Sequence, residues 1–375
     1  MSQASSRTTP PTWITPPGCN AAIKYGGNTE LQRALRTAVT DHLAQRGMSP
    51  YGGAAMLRKT GIILTWLVAT YLLLLLWAES WWTFAALGIS MGLALAAVGF
   101  SIQHDGGHGA YAERPWLSRV AALALDGIGG SSYMWHHKHN VLHHTYPNVE
   151  QVDDDISQSP WLRLSKTDPY LPVHRYQHWY AWVLYAFVTP KWVLVDDFRR
   201  IASQRAGARH VPPPTGATLR TLLLGKVFAY SWLFIIPLAV HGPSWGMLAL
   251  YVFIAWVWGC TLATVFQLAH CNADAETMSW PKDGETLEHG WAEQQLATTV
   301  NFSPGNAALT WYIGGLNYQI EHHLFPKVCH LHYPALSPIV RKVCEAHGVE
   351  YRVQPTMLES LRSHIVHLRR LGASA

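Results

Sequence analysis

Residues 61–77 read GIILTWLVATYLLLLLW, a run without a single charge. At 1.5 Å rise per residue such a helix nearly crosses ~30 Å of hydrocarbon. After Ala78-Glu79-Ser80 a second apolar run, 81–103, follows, and its Gly88, Gly92 and Gly99 are expected to let helices pack closely. Further on, 221–240, a His241-Gly242-Pro243 turn and 244–269 repeat the arrangement. Lys226, near the start of the third run, is expected to snorkel to the interface. The reading is an all-α integral membrane protein. Four transmembrane helices, about 61–78, 81–103, 221–240 and 244–269, form two hairpins.

Composition agrees. Charged residues are 14% of the chain, against about 25% in a typical soluble domain. The 18 Trp and 16 Tyr suit interfacial aromatic belts. Net charge is +5, but the basic residues are dispersed and form no nucleic-acid stripe. Lys and Arg number seven in 1–60, eleven in 104–218 and eight in 271–375, and both short turns lack them. The positive-inside rule therefore puts both termini and the three large segments in the cytoplasm, with a bacterial inner membrane favoured over the endoplasmic reticulum. Five cysteines, odd in number and without a CxxC pair, argue against a disulfide framework, an iron–sulfur cluster or a thiolate zinc site.

Residues 1–20, rich in Pro, Ser and Thr, read as an extended lead-in without the apolar core of a signal peptide. From 30 to 46, Leu31, Leu35, Val39 and Leu43 recur at helical spacing, giving an amphipathic helix for a membrane surface or a cytosolic cap. The expected division is 1–60 as a cytosolic N-terminal segment, 61–351 as the membrane domain and 352–375 as a cytosolic C-terminal helix. Within 104–218, the half-apolar pieces 116–135 and 176–195 are expected to dock on the bilayer surface.

Of 21 histidines, five fall in 135–148, WHHKHNVLHHTYPN: His136, His137, His139, His143 and His144. Two shorter stretches echo it, His104-Asp-Gly-Gly-His108 and Gln319-Ile-Glu-His322-His323, and His270 emerges from the fourth span at the same face. His104 and His108, like His139 and His143, stand four apart and would share a helix face. His144 points to a neighbouring face and can reach a second metal. A zinc-protease reading fails because Asp105, not Glu, follows the first histidine, and Gly106-Gly107 disfavour a helix interior. Eight imidazoles and Gln319 exceed what one ion takes, so two metals sharing them is the economical reading, with iron, copper or zinc favoured. His136 and His137 are expected to support rather than ligate, as are His174, His178, His330 and His332. Asp153, Asp154, Asp155, Asp105, Asn148, Asn317 and Glu321 are candidates to orient ligand rings. A cytosolic helical cap would then hold a di-metal site over the spans, beside an apolar substrate.

The order HDGGH, KHNVLHHTYPN, GLNYQIEHHLFP resembles the three histidine boxes of membrane fatty acid desaturases, from about residue 61 to 351. Gln in place of the first His of the third box is similar to front-end desaturases and their bacterial acyl-CoA or acyl-lipid relatives. The resemblance implies a non-haem centre of two Fe ions, O2 as co-substrate, and a fatty acyl substrate in membrane lipid or on CoA. It implies His104, His108, His139, His143, His144, His270, His322 and His323 as ligands and catalytic groups, with Gln319 where many members carry a ninth His. Two departures stand out: three residues separate His139 from His143 where front-end enzymes commonly have two, and no His-Pro-Gly-Gly haem motif occurs. Electrons are therefore expected from a separate ferredoxin, rubredoxin or cytochrome b5. The alternatives are a histidine-box hydroxylase of fatty acyl, alkane or carotenoid substrates, and a membrane haem or metal-transport protein. The apolar runs contain no histidine, which weighs against the last.

Overall fold

A computed structural model describes residues 24–26, 29–156, 158, 160–207, 209–279 and 286–373; the lead-in 1–20 lies outside them. Among the described residues the chain is mostly helical, with four helices long and apolar enough to cross a membrane: Gly53–Leu76, Trp81–His108, Gly216–His241 and Trp245–His270. The first starts eight residues before the apolar run, and its opening turns are held by residues from the C-terminal third of the chain. Lys59 is buried there, 2.8 Å from His330 Nε2 and over the Trp311 ring. The second and fourth spans begin on serine caps: Ser80 Oγ accepts from Thr83 N–H, and Ser244 Oγ from Met247 N–H.

The second and fourth spans form the central pair. A Cβ on Gly92 would lie 2.7 Å from the Val257 side chain, and one on Gly88 would lie 3.0 Å from Phe253, so these two glycines permit the approach. Gly99 does not, since its nearest neighbour would be Leu262 at 3.8 Å. It lies instead in a π turn, Val98–Gln103, where its carbonyl accepts from His104 N–H.

Lys226 does not snorkel. It is buried, donating to Asp197 Oδ2 at 2.8 Å and to the carbonyls of Gly129 and Val193 at 2.7 and 3.1 Å. Few residues of the third span are buried by protein, and Lys226 is among them. Lys226→Met should strand the Asp197 carboxylate and cost about 3–5 kcal/mol. Adding Asp197→Leu should restore most of it in thermal melts of detergent-solubilised protein.

Beyond the spans, the amphipathic helix forms as Glu30–Gln45 and buries Leu31, Leu35, Val39 and Leu43 on helices Tyr333–Ala346 and Trp291–Thr298, so its apolar face packs on protein. The C-terminal helix Met357–Ala373 docks through His364, which donates from Nδ1 to the Cys271 carbonyl at 2.6 Å and accepts from Tyr185 Oη at 2.7 Å. Asn301–Phe302 pairs in parallel with Val353–Gln354 beneath it. These contacts fix the end of the fourth span, which is His270.

Candidate metal centre

The first histidine pair continues the second span as the helix His104–His108. Contrary to the expectation for Gly106-Gly107, the glycines do not break it; they let neighbours close in. A Cβ on Gly106 would meet Ala122 N at 2.4 Å, and one on Gly107 would meet the Trp135 ring at 2.2 Å. The indole thus sits edge-on to His104 and His108 and stacks on His139 with centroids 4.5 Å apart. Gly107→Ala should force Trp135 aside, lowering stability by about 1–3 kcal/mol together with activity. Trp135→Leu in that background should recover the melting temperature but not the activity.

The central stretch, His136–His143, is a π-helix in which His144 N–H donates to the His139 carbonyl five residues back, at 3.0 Å. This winding puts residues five apart on one face. His139 Nε2 and His144 Nε2 lie 3.1 Å apart. The expected pairing of His139 with His143 gives way to two assemblies. One gathers His104, His108, His139 and His322; the other gathers His143, His270 and His323; in each, the candidate ligand atoms lie within 4.8 Å of one another. His144 joins His322 and His323 in a third set that connects them. His139 and His143 also approach Asp155, whose carboxylate is already held by Lys138. Gln319 is buried on the helix Gln319–Leu324, which also carries His322 and His323.

Protein atoms do not satisfy these rings. His108 Nε2, His143 Nε2, His144 Nδ1, His322 Nε2, His323 Nε2 and Gln319 Oε1 are buried without a hydrogen-bond partner. So many orphaned nitrogens would be costly unless something accepted their lone pairs, and imidazole-rich donor sets suit iron, copper or zinc. Burial, reinforced by the neighbouring imidazoles, holds His139, His144, His322 and His323 well below the ordinary histidine range, keeping them neutral and able to donate electrons. His143 is the exception. Burial disfavours its charge, but Asp153 overrides this and raises it, accepting from Nδ1 at 2.9 Å and leaving Nε2 free.

Asp153 is the one acidic candidate found hydrogen-bonded to a candidate ligand ring, that of His143. The other rings use groups that the sequence reading missed: His323 Nδ1 meets Gln295 Oε1 at 2.9 Å, His270 Nδ1 the Thr298 carbonyl at 3.3 Å, and His322 Nδ1 Tyr333 Oη at 3.3 Å. The available signal was AEQQLATT, residues 292–299 on and just beyond the helix Trp291–Thr298, whose Gln294, Gln295 and Thr298 are wholly buried.

Other candidates act at one remove. Asp154 is drawn to Arg200 at 2.5 Å. Asp105 accepts from His330 Nδ1 at 2.8 Å, tying the first histidine stretch to the loop after the third. Asn317 bonds Thr310 and the Ser303 carbonyl, while Glu321 accepts from Asn301 and Tyr351. Asn148, at φ 53°, donates through its amide to the carbonyls of His270, Glu276 and Thr298 and through its backbone N–H to Asp153 Oδ2. His136 is exposed beside Asn140, and His137 packs on Tyr133. His174 is buried but engaged by the Pro160 carbonyl and Leu171 N–H, and His332 reaches the Tyr51 carbonyl.

The family model described as Fatty acid desaturase matches residues 79–355. The chain belongs to the fatty acid desaturase family. This desaturase is 35% identical to an sn-1 linoleoyl-lipid 6-desaturase of Arthrospira platensis, across 93% of the chain and 95% of the relative. It is 32% identical to a protein of the same name from a Synechocystis strain, across 94% and 98%. An acyl-lipid (8-3)-desaturase of Physcomitrium patens is 36% identical, across 94% of this chain and 74% of that one. The desaturase is thus a membrane oxidoreductase acting on fatty acyl lipids.

Proposed function

We propose that this desaturase uses O2 and two electrons at a pair of irons to introduce a double bond into an acyl chain esterified in a membrane lipid. His104, His108, His139 and His322 would hold one iron and His143, His270 and His323 the other, with His144 between them and Gln319 beside His270. The buried, partnerless ring nitrogens carry this reading. Bound iron supplies dioxygen activation and the capacity to take hydrogen from an unactivated carbon.

The chain's own groups do the rest. Asp153, Gln295, Thr298 and Tyr333 fix ring orientation and leave the opposite nitrogens free. Near-complete burial of His143, His270, His322 and His323 keeps bulk water away from a reactive centre. An apolar cavity of about 400 Å³ between the spans, lined by Tyr71, Met91, Leu95, Val193 and Trp258 among others, has room for the methyl half of an acyl chain. Leu95 and Trp258 stand nine and twelve residues before His104 and His270, or ~13 and ~18 Å along their helices. A chain reacting at the histidines would therefore point its methyl end toward this cavity and its carboxyl end toward the cap. The relatives' names favour an acyl-lipid over acyl-CoA; two of the three relatives above are 6-desaturases and match nearly their whole length, which makes carbon 6 the position proposed here over that of the (8-3)-desaturase.

In this reading the four helices form two hairpins, and the cap, both termini and the site face the cytoplasm. The parts are 1–60, 61–351 and 352–375. Electrons arrive from a carrier protein, a ferredoxin, rubredoxin or cytochrome b5. Expression in a host that contains linoleoyl lipids but no 6-unsaturated product tests the reading. A product lacking two hydrogens, with its new double bond mapped to carbon 6, is expected; addition of an oxygen atom would overturn it. Purified protein should carry about two irons, as eight imidazoles imply, and an active preparation with stoichiometric zinc and no iron would refute the metal assignment.

A further inference from the structure

We infer that residues 177–203 enter the bilayer from the histidine side, turn near its middle and return, with lipid acyl chains covering their outer face. The charge pattern alone puts all of 104–218 outside the membrane. The packing of this segment says otherwise.

Two rulers measure its depth. Helix Gln177–Tyr185 descends along the fourth span: Trp182 O accepts from Cys260 Sγ, and a Cβ on Gly259 would touch the Tyr185 carbonyl at 2.5 Å. Thr189 then donates to the Ala255 carbonyl at 3.3 Å. Ala255 is ten residues from Trp245, hence ~15 Å from that end of the span. Trp77, Trp81, Trp82 and Trp245, all well exposed, mark that end as an interfacial belt. Half of ~30 Å of hydrocarbon is the same ~15 Å. The third span agrees. The Val193 carbonyl accepts from Tyr230 Oη at 2.8 Å and from Lys226, eleven and fifteen residues from His241, or ~17 and ~22 Å from the far turn.

The outer face suits lipid. Trp179, Val183 and Phe187 recur every four residues on the descending arm and are 74%, 60% and 57% exposed. Leu194, Val195 and Phe198 are exposed on the returning arm. Tyr176 and Trp161, also exposed, sit at the base, where amphipathic rings meet headgroups. Exposed Leu223, Val227 and Phe228 on the third span and Val252 on the fourth continue this apolar surface on spans that contact the same lipid. Lys191 and Asp197 both have ion-pair partners, although half of the Lys191 side chain stays exposed. Lys191, near the apex, reaches Asp196 at 2.7 Å, toward the histidine side, and Asp197 has Lys226.

The test is nitroxide labelling of single added cysteines at Val183, Phe187 and Val195. The full-length protein would sit in phosphatidylcholine–phosphatidylglycerol vesicles, with the parent chain labelled alongside to subtract native cysteines. Melting temperature certifies folding in each variant, and desaturation does so for Val183 and Val195, since Phe187 and Val252 also line the apolar cavity. Collision with O2 and with a water-soluble nickel chelate is read by power-saturation EPR against two references, Val252→Cys on the fourth span and Ser203→Cys on the exposed end of the segment. The Phe187 label should match Val252 and meet the chelate about tenfold less often than Ser203, an exclusion of ~1.4 kcal/mol. Val183 and Val195 should fall between the two references. If folded Phe187 and Val195 variants are as open to the chelate as Ser203, the segment lies in water and the inference is wrong.

Discussion

Alanine at His139, His143 or His144 should abolish desaturation, and the three variants should lose metal in different ways. Each loss of activity should exceed the 10–100-fold that removing an outer hydrogen-bond partner costs, because a ligand disappears rather than its orientation. His143 contributes to the assembly with His270 and His323, so His143→Ala should retain about one iron, held by the four other rings. His139→Ala should leave the His143 assembly loaded and loosen the other. His144 lies within ligand distance of His322 and His323 and 3.1 Å from His139, so His144→Ala should weaken both. Alanine at His136 or His137 should keep both irons and most activity. Iron per chain, measured alongside product formation, checks this pattern; a His143→Ala protein with two irons and full activity would remove His143 from the centre.

The four spans and the histidine stretches are legible in sequence because each depends on something local. A span needs only length and apolarity, and a ligand stretch needs imidazoles in a short window. What pairs with what depends on winding that the spacing conceals. Between His139 and His143 the chain carries one residue more than the front-end pattern, and α-helical counting reads that as a departure. The π turn absorbs it by moving the aligned partner from the fourth residue onward to the fifth, from His143 to His144. Gly106-Gly107 misleads in a similar way. Helix propensity counts against the pair, while the decisive fact is the closeness of Ala122 and Trp135, which belong to other segments. Lys226 reads as an interfacial lysine until Asp197, 29 residues earlier, is found beside it. Gln295, Thr298 and Tyr333 are harder to read for a plainer reason: AEQQLATT marks a polar helix, but nothing in sequence says which ring Gln295, Thr298 or Tyr333 faces.

Asn148 carries the other large expected effect, and it acts without touching a histidine ring. Its amide donates to the His270 carbonyl at 2.8 Å and to those of Glu276 and Thr298 at 3.0 and 3.4 Å, while its backbone N–H holds Asp153 Oδ2 at 3.0 Å. Asp153 in turn orients His143, and the Thr298 carbonyl orients His270. One residue therefore joins two histidines of the same assembly that lie 127 positions apart. Its φ of 53° suits Asn or Gly, which separates backbone from side chain in a mutational test. Asn148→Gly keeps the turn and the bond to Asp153 but leaves buried carbonyls without a donor, costing about 1–3 kcal/mol. Retention of the iron held by His143, His270 and His323 should fall 10–100-fold, the range for lost outer partners, while the other iron stays. Asn148→Asp should be worse than Gly despite its matching shape, since a carboxylate would face three carbonyl oxygens. Chelator-release kinetics with iron counted per chain read this directly. Two irons released from Asn148→Gly at the wild-type rates, or both lost together, would show that the amide braces the fold in general rather than this assembly.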